Sequence, residues 1–291
     1  MTTGILLIAA GHKNYGQLAG TLAMSLRANG CELPICVAHT PETLSRLDEN
    51  YLSFFTKFVE LKPHQYTLNG ETCYIKTKAH INEITPFDNT LFLDVDIIMI
   101  NNGMINTILK EIESLDFTVK NSGFTLFDSP DIKEDSQQWA NLLEVKEKFG
   151  FTNEKIWNVH SEFIWWKKTE ANDKLFSKWI ENFENIRVKN IEFADCIPDE
   201  LPLWISMCQT GHAPHKENFH PTFWPMDSAA PKRLKDLKDT YCGISIGGNN
   251  IGEHQKNNYD ILVSLYARMM NLRQKFQCQA KKRWLPERHT Y

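Results

Sequence analysis

Between Leu91 and Ile100 the chain reads Leu-Phe-Leu-Asp-Val-Asp-Ile-Ile-Met-Ile, so two carboxylates interrupt an otherwise unbroken apolar stretch. A run of this composition reads as a strand buried on both faces, as in a largely parallel sheet covered by helices. Ionised carboxylates are costly in such a place unless a cation meets them. Asp94 and Asp96 are two residues apart, which along a strand sends both side chains to the same side. Two carboxylates converging from one backbone segment suit a hard divalent cation that also takes phosphate oxygens. An acidic turn at a strand end, or two aspartates hydrogen-bonded separately, has the same sequence, so the context must decide.

The residues before this run alternate between strand and helix patterns. Gly4 to Ala10 is a short apolar run closed by Gly11 and reads as a first strand. Leu18, Leu22 and Leu26, with Ala19 and Ala23 beside them, have helical spacing over Gln17 to Arg27, and Asn29-Gly30 supplies the stop. Leu33 to Ala38 reads as a second strand, Thr40-Pro41-Glu42 as a helix start, and Phe58 to Leu61 as a third strand. The spacing predicts a helix over Lys76 to Ile84, leading into the acidic run as one continuous strand. Strands alternating with helices specify an α/β fold whose ligands bind beyond the carboxyl ends of the strands. Ala10-Gly11-His12 and Asp94-Val95-Asp96 both fall at such ends.

The second half is less regular. Phe127 to Phe151 reads as a polar helical or loop insertion, Asn158 to Trp166 as a strand, and Pro202 to Thr210 as a helix stopped by Gly211. His212 to Pro231 reads as an ordered loop, Tyr241 to Gly248 as a late strand, and Tyr259 to Phe276 as a long final helix. No repeat, low-complexity tract or Gly/Ser linker divides the 291 residues, so a single domain is expected.

Hydrophobic residues make up 42% and charged residues 23%, which is ordinary for a globular protein. A net charge of −4 excludes a molecule-wide field for polyanions but permits a local basic patch. The seven cysteines are scattered without a Cys-x-x-Cys pair, so neither a zinc site nor a disulfide framework is expected, and a reducing compartment is. Ile5 to Ala10 is too short for a signal segment, and no stretch has transmembrane length. A soluble, cytoplasmic protein without integral membrane association is the expectation.

A first strand ending in a small-residue turn and Tyr15, then Thr77-Lys78, then Leu93-Asp94-Val95-Asp96 resembles the nucleotide-sugar glycosyltransferases of the GT-A fold. The likeness is to the glycogenin-like family 8 group. It implies a Rossmann-like nucleotide-diphospho-sugar transferase fold, with residues 1–100 as a nucleotide-binding half. It further implies an acceptor half over 101–260, then a C-terminal helix and basic tail over 261–291. By the same resemblance, Ala10, Gly11 and Tyr15 border the base, and Lys78 faces the phosphates. Asp94, Val95 and Asp96 hold Mn²⁺ (or Mg²⁺) and the ribose of a nucleotide-sugar donor, a UDP-sugar. Asn158 to Phe163, with His160, Ser161 and Glu162, stands where the family has residues facing the sugar and acceptor. Pro198-Asp199-Glu200 resembles the family's helix start that contacts the transferred sugar. Asp199 at a helix N-terminus is equally suited to a structural cap.

One position departs from the family. Where it has a metal-binding His in a late strand, this chain has Ser245, and no Lys-Pro-Trp follows. Water, His254 or His220 is left to complete the coordination, or the site is looser. Gly247 and Gly248 let backbone N–H groups approach a phosphate.

The expected chemistry is charge stabilisation. Breaking the sugar–phosphate bond leaves a nucleoside diphosphate, and a divalent cation with a lysine stabilises that charge most in the transition state. The resemblance implies retention at the anomeric carbon. If the configuration inverts instead, Glu162, Asp199 and Glu200 are the candidates to take the acceptor proton. Residues 273–288 carry Arg273, Lys275, Lys281, Lys282, Arg283 and Arg288 against Glu287 alone, with Trp284 among them. Such a tail suits a polyanionic acceptor such as nucleic acid or a charged glycan, or is simply a solvated helix end. Two other readings of the fold stay open, a nucleotidylyltransferase and a non-catalytic nucleotide-sugar-binding protein. The stretch Gly11 to Gly16 is poor in Gly and Arg for the first of these.

Overall fold

A computed structural model describes residues 1–11, 15–100, 103–126, 136–137, 140–152, 154–186, 197–224, 234–246 and 253–269. The chain begins with β1 (Thr3–Ala9), α1 (Tyr15–Ala28), β2 (Ile35–His39), α2 (Pro41–Leu44), α3 (Glu49–Leu52) and β3 (Lys57–Glu60). A 3-10 turn, Pro63–Gln65, and the short strands β4 (Thr67–Leu68) and β5 (Glu71–Thr72) lead to a second 3-10 run, Tyr74–His80. Then come α4 (Ile81–Ile84), β6 (Asn89–Leu93), β7 (Ile97–Met99), α5 (Met104–Ile112) and β8 (Phe117–Leu126). β9 (Ser136–Gln137), β10 (Ala140–Asn141) and α6 (Leu142–Phe149) precede β11 (Lys155–Lys167), α7 (Glu170–Asn185) and α8 (Glu200–Thr210). The last described elements are β12 (Asn218–Phe219), β13 (Thr222–Phe223), α9 (Leu234–Leu237), β14 (Gly243–Ser245) and α10 (Glu253–Met269).

The central sheet has seven strands in the order β12-β8-β11-β6-β1-β2-β3, is mostly parallel and is flanked by helices. β2 and β3 pair in parallel, whereas β8 pairs antiparallel with both β11 and β12. A smaller sheet has the order β13-β14-β7.

The chain forms two compact units. One consists of Met1–Leu6, Leu61–Phe92 and Ser114–His220. Its core holds Phe163, Trp165, Trp166, Trp179, Phe183 and Trp204, all buried. Each of three buried indole N–H groups finds an acceptor, as burial requires. Trp165 donates to the Leu115 carbonyl at 3.0 Å, Trp166 to Asn82 at 2.8 Å and Trp179 to the Asp199 carbonyl at 3.2 Å. Thr169 caps α7 by accepting from the Asn172 N–H, and Gly211, with φ at +73°, closes α8.

The other unit consists of Leu7–Glu60, Leu93–Glu113 and Pro221–Tyr291. Leu18, Ala19, Leu22, Ala23 and Leu26 of α1 are buried, as their spacing predicts. Fully burying each leucine contributes about 1.5–3 kcal/mol. The Met99 N–H donates to Ser25 Oγ at 3.2 Å, and Tyr266 Oη of α10 donates to the Met99 carbonyl at 2.7 Å, anchoring β7.

Three expectations are corrected. The acidic run is not one strand: β6 stops at Leu93, Asp94-Val95-Asp96 makes a turn, and β7 joins the smaller sheet. A turn leaves both aspartates half-exposed while Val95 stays buried, whereas a strand interior would take the carboxylates out of water. The predicted helix from Lys76 to Ile84 is a 3-10 run followed by one α-helical turn. At three residues per turn, Lys76 and Lys78 leave the axis about 120° apart, so they reach different partners. Cys73 is disulfide-bonded, against the expectation of unpaired thiols, while Cys31, Cys36, Cys208 and Cys242 are free. Among the described residues, no helix is long and apolar enough to cross a membrane.

Candidate functional site

In the unit formed by Leu7–Glu60, Leu93–Glu113 and Pro221–Tyr291, the end of β1 is shaped for close approach. Ala10 is buried, and Gly11 sits at φ +97°, a conformation that residues with a Cβ rarely adopt. Thr43 Oγ1 donates to the Ala9 carbonyl and ties the start of α2 to this strand end. Tyr15 opens α1 and is 37% exposed. The acidic turn is fixed by its backbone. The Ile97 N–H donates to the Asp94 carbonyl at 3.2 Å, and the Ile246 N–H donates to the Asp96 carbonyl at 2.9 Å. With both carbonyls used, the carboxylates are the chemistry this turn offers. Oxygen donors of that kind fit Mn²⁺ or Mg²⁺. Ser245 lies opposite Ile97 across the β14–β7 pair and is fully buried.

In the unit formed by Met1–Leu6, Leu61–Phe92 and Ser114–His220, a second group assembles around Lys78. Its Nζ lies 3.1 Å from Asp199 Oδ2 and donates to Ser161 Oγ at 3.0 Å. Ser161 Oγ donates in turn to Glu200 Oε1 at 3.4 Å. Asp199 stands at the N-cap position of α8, yet its side chain makes no cap hydrogen bond. Its carboxylate is turned to the lysine instead. Lys78 keeps 18% of its side chain exposed and Asp199 4%, so this is a desolvated ion pair with an opening on the lysine side.

Strand register explains how adjacent residues of β11 face different partners. Along β11, His160 is opposite Lys120 and Ile164 is opposite Val119, so Ser161, Glu162 and Phe163 bulge out of the ladder. A second irregularity lies between Trp157 and Val159, opposite the segment that contains Gly123 at φ +96°. Bulges of this kind re-aim side chains. Ser161 reaches Lys78, whereas Glu162 lies 2.7 Å from Lys120 Nζ in a fully buried ion pair.

No family model matches the chain, and no curated protein matches it. Solved structures do. The apo bifunctional glycosyltransferase WbbM matches 97% of this chain at a TM-score of 0.60 and 8% identity, and the match covers 51% of WbbM. The galactosyltransferase LgtC, solved with donor and acceptor sugar analogues, matches 91% of this chain at 0.54 and 12% identity, over 95% of its own length. GlyE of Streptococcus pneumoniae TIGR4 matches 93% at 0.54 and 13% identity, over 63% of its length. This chain spans about half of WbbM and less than two thirds of GlyE.

The chain has the GT-A fold.

Of the site residues expected for a GT-A chain, Ala10 and Gly11 directly follow β1, Tyr15 opens α1, and Asp94, Val95 and Asp96 directly follow β6. Lys78, Ser161, Asp199 and Glu200 form one hydrogen-bonded group. Glu162 is drawn away into its pair with Lys120, which leaves Asp199 and Glu200 as the carboxylates linked to Lys78. His160 Nε2 lies 2.7 Å from Ser122 Oγ, with the His220 ring 6.0 Å from its own. Gly247, Gly248, the His254 side chain and the tail 270–291 lie outside the described residues. Among the described residues, no His, Cys, Asp or Glu joins Asp94 and Asp96 in a three-ligand cluster. Lys120 and Ser122 belong to no motif that marks them in the sequence. A lysine after the apolar pattern Phe117-Thr-Val119 is the one signal available, and its partner depends on register.

Proposed function

We propose that this GT-A chain is a metal-dependent glycosyltransferase that moves a sugar from a nucleotide-diphosphate donor, a UDP-sugar, to an acceptor hydroxyl. The observation that carries this reading is the Asp94-Val95-Asp96 turn, two half-exposed carboxylates flanking a buried valine beyond a central strand. In this reading the turn is the fold's Asp-x-Asp motif, and Asp94 and Asp96 hold Mn²⁺ or Mg²⁺. When bound, that ion neutralises charge on the departing diphosphate.

The other residues take their roles from their chemistry. Lys78 is a compact cation with an exposed edge, suited to phosphate oxygens as a point charge. Asp199 fixes its position and offers a carboxylate to a sugar that becomes oxocarbenium-like as the glycosidic bond breaks. Ser161 joins Lys78 to Glu200, which keeps both groups in one orientation. Tyr15 offers an exposed ring to the nucleotide base. Ser245 hydroxyl replaces an imidazole as the neighbour of the acidic turn, which makes water or His254 the remaining donor to the ion. Membership of the glycogenin-like family 8 group, with retention at the anomeric carbon, belongs to this proposal. Should configuration invert, Glu200 is the carboxylate left to take the acceptor proton.

The acceptor we propose is a polyanion, a nucleic acid or charged glycan, engaged by the basic residues 273–288. A cytoplasmic location rests on the four free thiols, with the Cys73 disulfide as the observation against it. The test is incubation with a panel of nucleotide sugars and Mn²⁺ or Mg²⁺, reading nucleoside diphosphate release without acceptor. One donor should be hydrolysed slowly and only with metal. No release from any donor, together with no thermal shift on any nucleotide, would overturn the proposal.

A further inference from the structure

His64, His80 and Glu83 form a cluster that glycosyl transfer does not use, and all three belong to the same unit. His64 lies in the 3-10 turn Pro63–Gln65, His80 ends the run Tyr74–His80, and Glu83 is in α4. His64 Nε2 is 3.0 Å from Glu83 Oε1, and His80 Nδ1 is 2.9 Å from Glu83 Oε2. One ligand atom from each residue lies within 4.8 Å of the others. The two imidazoles meet edge to face with centroids 5.5 Å apart.

The surroundings hold the carboxylate ready. Gln65 Nε2 donates to Glu83 Oε1 at 3.0 Å, and Gln65 Oε1 accepts from the Lys62 N–H at 2.8 Å, which fixes the amide's orientation. A partner of this kind aligns a ligating carboxylate. His80 is buried, and among the described residues its Nε2 has no hydrogen-bond partner.

We propose that His64, His80 and Glu83 bind a divalent cation of the zinc class. Two imidazole nitrogens and one carboxylate oxygen are donors that Zn²⁺ accepts, whereas Mg²⁺ and Ca²⁺ favour oxygen alone. Donor atoms around tetrahedral zinc lie about 3.3 Å apart, given bonds of about 2.0–2.1 Å. The 2.9 and 3.0 Å contacts run to the two different oxygens of Glu83, so sharing one ion takes rotations of His64 and Glu83, whose side chains are 55% and 41% exposed. The fourth position is open to water. The ion clips the Pro63–Gln65 turn to the run that carries Thr77 and Lys78.

The test is titration of the full chain with Zn²⁺ by calorimetry and with Co²⁺ by visible absorption. One equivalent should bind, with a four-coordinate cobalt band and a rise in Tm. His64→Ala and Glu83→Gln, both at exposed positions, should weaken zinc by at least about tenfold. His64→Ala should leave Mn²⁺-dependent UDP binding as it is, which separates this site from the acidic turn. Absence of binding at millimolar zinc would overturn the proposal. So would His64→Ala and Glu83→Gln proteins that titrate like the parent.

Discussion

Lys76 and Lys78 stand two residues apart and do unrelated work. Lys76 is buried, and its Nζ donates to the Thr67 carbonyl at 2.9 Å and to Glu184 at 2.7 Å. Lys78 reaches Asp199 and Ser161. The sequence singles out Lys78 through its place after Thr77, but gives no sign that its neighbour is structural. Lys120 was harder still, because its partner Glu162 is 42 residues away and the pair exists only through the β8–β11 register. A pair this buried contributes little net stability, yet removing one member strands the other charge. Lys120→Met should therefore cost about 3–5 kcal/mol in urea unfolding. The double replacement Lys120→Met, Glu162→Leu should recover much of that loss. A single variant within about 1 kcal/mol of the parent would show that the pair is not desolvated as described.

At the scale of elements, the sequence pattern located β1, α1, β2, the start of α2 and β3, but it gave no sign of α3 and could not locate the break after Leu93. Every residue of the run except the aspartates is buried, so its hydropathy is that of one strand even though it serves two sheets. The bulge at Ser161 to Phe163 is equally silent in sequence, since it is a property of pairing. Helix α1 shows the converse, a close packing that the letters permit but do not announce. A Cβ added at Gly16 would meet the Thr43 carbonyl oxygen and come within 3.3 Å of the Leu47 nitrogen. Alanine in place of glycine ordinarily favours a helix by about 1 kcal/mol. Here the obstacle is backbone, which cannot rotate away, so the clash should win. Gly16→Ala is expected to lose about 1–3 kcal/mol and lower the Tm. A raised Tm would mean that α1 and α2 are less closely packed.

For the molecule as a whole, an α/β fold was legible because the first hundred residues alternate strand and helix, and the GT-A likeness rested on Tyr15, Thr77-Lys78 and Asp94-Val95-Asp96. The strand order was not legible, since β6 lies beside β1 only through connections that hydropathy does not describe. The second half was read less fully. Strand β8 and helix α7 carry mixed polar and apolar residues, and their burial is set by partners such as β11 and α8. The aspartates of the acidic turn stood out as two carboxylates in an apolar run, and Lys78, Ser161, Asp199 and Glu200 through resemblance, while the His64, His80 and Glu83 cluster was invisible because its residues come from three separate elements.

The central claim is that Asp94 and Asp96 bind a nucleotide diphosphate through a metal ion. Calorimetric titration with UDP, with and without Mn²⁺, on the parent chain and on Asp96→Asn tests it most directly. UDP should bind the parent only with Mn²⁺ present, and Asp96→Asn should weaken that binding by at least tenfold, about 1.4 kcal/mol. Equal UDP affinity with and without Mn²⁺, or an Asp96→Asn protein that binds as the parent does, would contradict it.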